Sequence, residues 1–232
     1  MSRLHALRDD ERGMTLVELL VATAAGVVVM FGVTMAVIVT LRESDRITSH
    51  VHANQNARLA MSKIMDELHS ACVAPLLAPV QGTSTATTLA FWHQTGAAVA
   101  PTPIESRISL VGTTLTQSDY AATGGAAPKW TFATSAFATT QLMTNISQIS
   151  AGVPLFRYYG YSEGQVSATP FASSPSLSAN STKTIKVSVA FKAAPVNTPI
   201  VDAKAPTEIQ NSALLRLTAP SYAASSSNSP CQ

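Results

Sequence analysis

The longest uninterrupted hydrophobic run of this chain lies near the N-terminus, and apolar and polar residues are mixed along the chain beyond that run. From Leu19 to Leu41 the sequence contains no charged residue. An α-helix rises about 1.5 Å per residue, so a run of this length crosses the roughly 30 Å hydrocarbon core of a bilayer. The pattern therefore predicts a membrane-spanning helix over this segment.

A secretory signal peptide and a plain membrane anchor both place an apolar run near the N-terminus. A signal peptide has an apolar region of about 7–15 residues followed by a small-residue cleavage site. The run here is longer, and the Ala-x-Ala sequence that begins at Ala22 falls too early in it. A plain uncleaved anchor is compatible with the apolar run, and this alternative stays open.

The helical pattern continues past Leu41, where polar residues join the apolar ones. No glycine or proline interrupts residues 42–74, and Pro75 predicts the end of the helix. One helix is therefore expected from about Thr15 to Cys72, and its amphipathic second half, residues 42–75, should pack on a globular domain. The carboxylates of Asp66 and Glu67 are expected on its solvated face. The apolar stripe is expected at Ile47, Val51, Ala57, Met61, Ile64, Met65 and Leu68.

Residues 76–232 predict a β-rich globular domain outside the membrane. The clearest strand is 184–191, where Ile185, Val187, Val189 and Phe191 alternate with smaller or polar residues, a pattern typical of a half-buried antiparallel strand. The fold class is therefore α+β, with a long helix packed on an antiparallel sheet. Further candidate strands are 87–92, 107–111, 129–133, 155–161 and 213–217, and Ser/Pro-rich stretches at 168–182 and 219–230 predict loops.

An aromatic group lies within the candidate strand 155–161: Phe156, Tyr158, Tyr159 and Tyr161. These side chains could form an adhesive surface. Alternating core and cross-strand packing is the favoured interpretation, because strands normally use aromatic residues in that way.

Composition and charge exclude few functions but change some expectations. Charged residues make up 12% of the chain and the net charge is +2. No segment is both basic and rich in aromatic residues, so specific nucleic-acid binding is not predicted.

The two cysteines, Cys72 and Cys231, suggest one disulfide in an exported chain, with a stabilisation of about 4–5 kcal/mol from loop-closure entropy. Two unrelated free thiols are the alternative.

Sequence motifs for catalysis or cofactor binding are absent. The chain has no nucleotide-binding glycine loop, no serine-hydrolase elbow and no zinc-protease motif. His69 and Cys72 are three residues apart on the predicted helix, but structural zinc needs four ligands and no others lie near them in sequence. The sequence therefore predicts no catalytic residue, no metal site and no cofactor.

Residues 12–20, Arg-Gly-Met-Thr-Leu-Val-Glu-Leu-Leu, resemble the type III signal of type IV pilins and pseudopilins. The resemblance implies that a prepilin peptidase removes residues 1–13 as a leader by cutting after Gly13. It also implies that the new N-terminus at Met14 is methylated and that Glu18 guides assembly. Residues 14–41 would then be the membrane and filament-core helix, and residues 76–232 the outer domain of a pilin fold.

Glu18 is unusual because its carboxylate lies within an apolar run, where it costs up to a few kcal/mol near the membrane centre and less near the interface. Such a residue is usually retained for a partner. In the family that this segment resembles, the α-amino group freed at Met14, on the same or a neighbouring subunit, would provide one.

Residues 55–61 and 66–71 are similar to the helix of larger minor pilins of the PilW type and of J-type pseudopilins. The expected function is a structural subunit of a type IV pilus-type filament, not an enzyme. The implied partners are the prepilin peptidase, other pilin subunits and the assembly platform. The expected location is the cytoplasmic membrane, then a cell-surface filament. A pseudopilin of a type II secretion or competence system, and an anchored binding module that never polymerises, are the alternatives.

Overall fold

The computed structural model describes residues 15–72, 78–94, 102–126, 129–195 and 206–215. The chain divides into two units, residues 1–48 and residues 49–232. A single helix, α1 (Leu16–His69), passes through both units. Its bounds confirm a helix close to the predicted 15–72, and Pro75 lies outside the described residues. The α+β arrangement of a long apolar N-terminal helix with antiparallel sheets is confirmed.

In the second unit, one face of α1 is buried and its residues recur at three- and four-residue intervals. The predicted stripe was wrong at Val51, which is 49% exposed, and Ile47 in the first unit is exposed as well. Small residues form part of the buried face because alanine lets a helix approach its neighbour closely. The buried residues are Ala53, Ala57, Ala60, Met61, Ile64, Met65 and Leu68.

The first sheet is antiparallel and is organised around one long strand, β3. β2 pairs with one side of β3, while β4 and β5 pair with successive parts of its other side, and β1 extends the sheet beyond β2. The five strands are β1 (Thr88–His93), β2 (Ile104–Val111), β3 (Thr114–Ala126), β4 (Lys129–Phe132) and β5 (Ala138–Met143).

The second sheet is built on β10, which pairs with β11 on one side and with β6 and β7 on the other, all antiparallel. A separate hairpin joins β8 to β9. A 3-10 helix, Ser178–Lys183, precedes β10. The strands are β6 (Ile146–Ser147), β7 (Phe156–Tyr159), β8 (Tyr161–Ser162), β9 (Gln165–Val166), β10 (Lys186–Ala193) and β11 (Thr207–Leu214).

Most predicted strands are found, but four expectations need correction. The candidate strand 155–161 is two strands, because pairing with β10 ends at Tyr159, and Tyr161 pairs with β9 instead. The strand 184–191 was expected to be half-buried, yet Ser188 and Ala190 on its second face are buried too. β11 begins at Thr207, well before the predicted 213, and residues 216–217 lie outside the described part. The predicted loop 168–182 contains the start of the 3-10 helix, and 219–230 is not described.

β3 and β5 were not predicted. On the side of β3 that faces the core, the side chains are Leu115, Gln117 and Asp119. Two of these three are polar, so the sequence lacks the alternation of apolar and polar residues that identifies a strand.

The core of the second unit joins the buried face of α1 to both sheets. Phe91, Phe156, Tyr158 and Phe191 are among its largest fully buried side chains. The Tyr158 hydroxyl donates to the carbonyl oxygens of Thr85 and Thr88, at 2.9 and 3.0 Å. The packing interpretation of the aromatic group is therefore confirmed for Phe156 and Tyr158, whereas Tyr161 is 67% exposed.

Candidate functional site

The first candidate site is the start of α1. Thr15 immediately precedes the first helical residue, and the backbone N–H of Glu18 donates to Thr15 Oγ1 at 3.2 Å. In return, Glu18 Oε2 accepts from the backbone N–H of Thr15 at 3.5 Å. This is the reciprocal arrangement of a capping box, which satisfies two N–H groups that a helix start leaves unpaired. Glu18 therefore lies at the positive end of the helix dipole, where a carboxylate is favoured.

The apolar half of α1 is the second feature of this site. All side chains from Thr15 to Thr48 are exposed within the described structure. In the described residues, α1 is the one helix that is long and apolar enough to cross a membrane. Its hydroxyl groups need no outside partner, because Thr23, Thr34 and Thr40 donate to backbone carbonyls three or four residues earlier, at 2.8–3.0 Å.

Gly13 and Met14, the predicted cleavage and methylation residues, lie outside the described residues. The structure therefore places Glu18 but not the two residues that the resemblance implies act with it. The capping role of Thr15 was not foreseen, although the spacing Thr-x-x-Glu before an apolar run is the sequence signature of a capping box.

Cys72 follows the end of α1, and its side chain is fully buried against Trp92 and Trp130. Its backbone N–H donates to the carbonyl of Trp92 at 2.9 Å. Cys72 is disulfide-bonded. Cys231, the other cysteine of the sequence, lies outside the described residues, so the Cys72–Cys231 pairing stays a prediction.

A ring of contacting polar side chains, most of them hydrogen-bonded to one another, joins the last turn of α1 to the first sheet. Gln117 Nε2 donates to Glu67 Oε1 at 3.0 Å and to Asp119 Oδ1 at 2.9 Å. The hydroxyl of Ser106 donates to Asp119 Oδ1 at 2.5 Å and lies 2.8 Å from Nε2 of His93. The members are Glu67 and Ser70 of the helix end, His93 of β1, Ser106 of β2, and Gln117 and Asp119 of β3.

The ring closes at the helix end through Ser70. Its hydroxyl donates to the carbonyl oxygen of Glu67 at 2.8 Å and lies 3.5 Å from His93 Nδ1. Because the single Ser106 hydroxyl proton goes to Asp119, Nε2 of neutral His93 must provide the proton of the His93–Ser106 bond. Nδ1 then has no proton, and the Ser70 proton goes to Glu67, so the 3.5 Å Ser70–His93 approach is a contact and not a hydrogen bond.

This ring corrects the expectation that Asp66 and Glu67 form a solvated pair. Asp66 is exposed, but the Glu67 side chain is only 16% exposed and faces β3. Burial therefore raises the pKa of Glu67, while the hydrogen bond from Gln117 and the charge of Lys63 oppose that change. Burial also lowers the pKa of His93, against the opposite influence of Asp119.

The His93–Ser106–Asp119 sequence of contacts contains the residue types of a hydrolase triad in a different order. The serine lies between the other two, and its side chain is fully buried, so a substrate cannot reach its oxygen. Among the described residues no group of three or more His, Cys, Asp or Glu side chains is arranged to hold a metal, and His69 is exposed. The ring fits a structural role between helix and sheet.

No protein-family model matches this chain, and neither the curated proteins nor the solved structures contain a significant match to it.

Proposed function

We propose that this chain is a structural subunit of a type IV pilus-type filament with a pilin fold, and that it serves as a minor pilin in assembly, priming or decoration. The observation that carries the proposal is Glu18 at the first turn of a long, exposed, apolar helix, five residues after Gly13 in a sequence that resembles a prepilin signal. A carboxylate there has a local partner in Thr15 and remains at the helix end, where a neighbouring amine could reach it.

The proposed route begins in the cytoplasmic membrane, with the second unit outside. A prepilin peptidase cuts after Gly13, and the Met14 amine is freed and methylated. The apolar segments of several subunits then bundle away from water, since each exposes apolar side chains over its whole circumference. The assembly platform and other pilins are the partners, and no catalytic step belongs to the chain itself.

The capping box changes how Glu18 acts in this proposal. Thr15 and Glu18 satisfy each other in the single subunit, so the carboxylate is not buried without a partner before assembly. When a neighbouring Met14 amine approaches, Glu18 can exchange the 3.5 Å bond from the Thr15 N–H for a charged partner. The cap thus keeps the carboxylate partnered before assembly, and the new ion pair must be stronger than the bond that it replaces.

Glutamine at position 18 separates capping from charge, because both Glu and Gln complete a capping box. If Glu18 acts through its charge, Glu18→Gln and Glu18→Ala should both abolish incorporation into sheared surface filaments. If it acts only as a cap, Glu18→Gln should assemble normally. Assembly of Glu18→Ala at the level of the unaltered chain would contradict the proposal.

The mature N-terminal peptide tests the processing step, and mass spectrometry of membranes and of sheared fibres measures it directly. A methylated peptide that begins at Met14 and occurs in fibres supports a pilin. The same peptide confined to membranes indicates a pseudopilin. An intact N-terminus in both fractions indicates a plain membrane anchor and contradicts the filament proposal.

A further inference from the structure

Two buried side-chain oxygens at the contact between α1 and the first sheet have no hydrogen-bond partner among the described residues: Glu67 Oε2 and Gln117 Oε1. Their side chains are already joined, because Gln117 Nε2 donates to Glu67 Oε1 at 3.0 Å. Glu67 Oε2 is attached to the same carboxyl carbon as Oε1, and Gln117 Oε1 is attached to the same amide carbon as Nε2. A carboxyl group and a primary amide therefore meet with one of their two possible hydrogen bonds made.

The missing bond needs a proton that an ionised Glu67 does not have. A carboxylate only accepts hydrogen bonds, and so does the Oε1 atom of glutamine. With Glu67 ionised, neither of the two unpartnered oxygens can donate a hydrogen bond to the other. A proton on Glu67 Oε2 turns that atom into a donor to Gln117 Oε1, while Nε2 keeps donating to Glu67 Oε1. One proton then satisfies two buried acceptors, each of which is costly to leave unpaired.

We propose that Glu67 is a proton-binding site of the folded protein, and that its neutral carboxyl group forms a two-bond acid–amide latch with Gln117 that ties the last turn of α1 to β3. The latch is defined by these two side chains. It lies wholly within the second unit, so neither the proposal nor its test rests on filament assembly.

The charged groups around Glu67 favour a neutral carboxyl there. From its own helix, Lys63 Nζ lies 4.0 Å from Glu67 Oε1, but the Lys63 side chain is 44% exposed and its charge is screened. Asp66 and, from β3, Asp119 are negative and disfavour a further negative charge on the nearby Glu67 carboxyl group. From β1, His93 contacts Ser70, which lies beside Glu67 at the helix end. From β2, the uncharged Ser106 contacts His93.

Burial and these carboxylates act in the same direction, and they raise the pKa of Glu67 above its ordinary 4.5. A recess of about 500 Å³ opens beside Glu67 and is lined also by Lys63 and Gln94, so protons can exchange with solvent. The folded protein therefore binds the Glu67 proton more tightly than the unfolded chain does. The latch stabilises the protein fully below about pH 4.5 and weakens as the pH rises through the folded pKa of Glu67.

The test is a titration of the full chain in detergent micelles, with ¹³C in the glutamate side-chain carboxyl groups and NMR detection. The Glu67 resonance is the one that Glu67→Gln removes. Its midpoint is expected to be shifted upward from those of the other glutamates, and the Gln117 side-chain amide protons should shift at the same midpoint. If Glu67→Gln folds poorly, these amide protons still report the step in the unaltered protein.

Unfolding experiments with matched variants provide the second measurement. Glu67→Gln keeps both bonds at every pH, because its own amide group donates to Gln117 Oε1. Its stability relative to the unaltered chain should therefore grow as the pH rises through the Glu67 midpoint. Glu163→Gln, which removes an exposed carboxylate that is not among the groups acting on Glu67, should track the unaltered chain.

Two outcomes would overturn the latch. In the first, the Glu67 resonance titrates together with the exposed glutamates, which means that Glu67 is ionised and a bridging water satisfies the two oxygens. In the second, the stability difference between Glu67→Gln and the unaltered chain is the same at every pH.

Discussion

Thr15 and Glu18 close the first turn of α1 by exchanging hydrogen bonds: the Glu18 N–H donates to the Thr15 hydroxyl at 3.2 Å, and the Thr15 N–H donates to the Glu18 carboxylate at 3.5 Å. The apolar helix thus begins with a polar end in which each residue supports the other. Because a helix start has unpaired N–H groups, this pair determines how firmly the first turn is held.

Thr15→Ala should loosen this first turn, since it removes the acceptor of the Glu18 N–H. Backbone hydrogen exchange at Glu18, measured by NMR on the full chain in micelles, is expected to become several-fold faster. Thr15→Ser keeps the hydroxyl and should exchange at the original rate. Equal rates in both variants would show that the side chain of residue 15 does not cap the helix.

Tyr158→Phe should destabilise the second unit by about 1–2 kcal/mol, because the hydroxyl shares its proton between two part-buried carbonyl groups while the ring fills the core. Burial raises the pKa of the Tyr158 hydroxyl, so it stays protonated and a donor throughout the neutral range. Chemical denaturation measures the change. Tyr161→Phe, at a position that is 67% exposed, is the control and should be within about 0.5 kcal/mol of the unaltered chain.

Gly125→Ala should destabilise the β3–β4 hairpin, whereas Gly124→Ala should not. Gly125 has a φ of +93°, and a methyl group there would overlap the carbonyl oxygen of Lys129. A cost of about 1–3 kcal/mol is expected from this backbone strain. At Gly124 a methyl group meets only Thr131 Oγ1 at 3.5 Å, an ordinary contact. Thermal unfolding of the two variants compares them, and equal losses would contradict the account.

Stability should fall as the pH drops below the ordinary pKa of histidine, because burial lowers the pKa of His93 in the folded state. The stabilisation from neutral His93 is present above about 6.5 and is lost as the pH falls through the folded pKa. His93→Gln retains a donor to Ser106 and should show a smaller loss between about pH 7 and about pH 5. If the free energy of unfolding depends on pH in the same way for His93→Gln and for the unaltered chain, His93 does not contribute to the pH dependence.

The His93 and Glu67 effects have opposite signs, so they must be measured as differences between variants. Acid weakens the protein through His93 and strengthens it through Glu67. The difference between each single variant and the unaltered chain isolates one residue. His50→Gln changes a histidine of α1 outside the ring and serves as a control for general acid effects.

Peptide mapping without reduction should find one cross-linked peptide that contains Cys72 and Cys231. With Cys231 as the partner of Cys72, the disulfide closes a long loop, and Cys72→Ala should lower stability by about 2–5 kcal/mol. The cavity left beside Trp92 and Trp130 adds to that loss, so Cys231→Ala is the cleaner variant for the bond itself. A free Cys231 in the mapped protein would contradict the pairing.

The sequence by itself determined the long helix, because 23 uncharged residues from Leu19 to Leu41 and an unbroken helical pattern allow few other structures. It also determined the position of Glu18 within the apolar run and the strands with strong apolar alternation. These features are local: the residues that define them are neighbours in the chain, so periodicity and composition suffice to identify them.

The tertiary structure alone decided which polar residues are buried. Gln117 and Asp119 resemble loop residues in the sequence of β3, and Glu67 resembles a solvated helix residue beside Asp66. They become members of one partly buried ring because strand pairing places β2 between β1 and β3, and because the end of α1 packs on that sheet. The physical reason is that burial and pKa depend on partners up to 50 residues away, which no local pattern records.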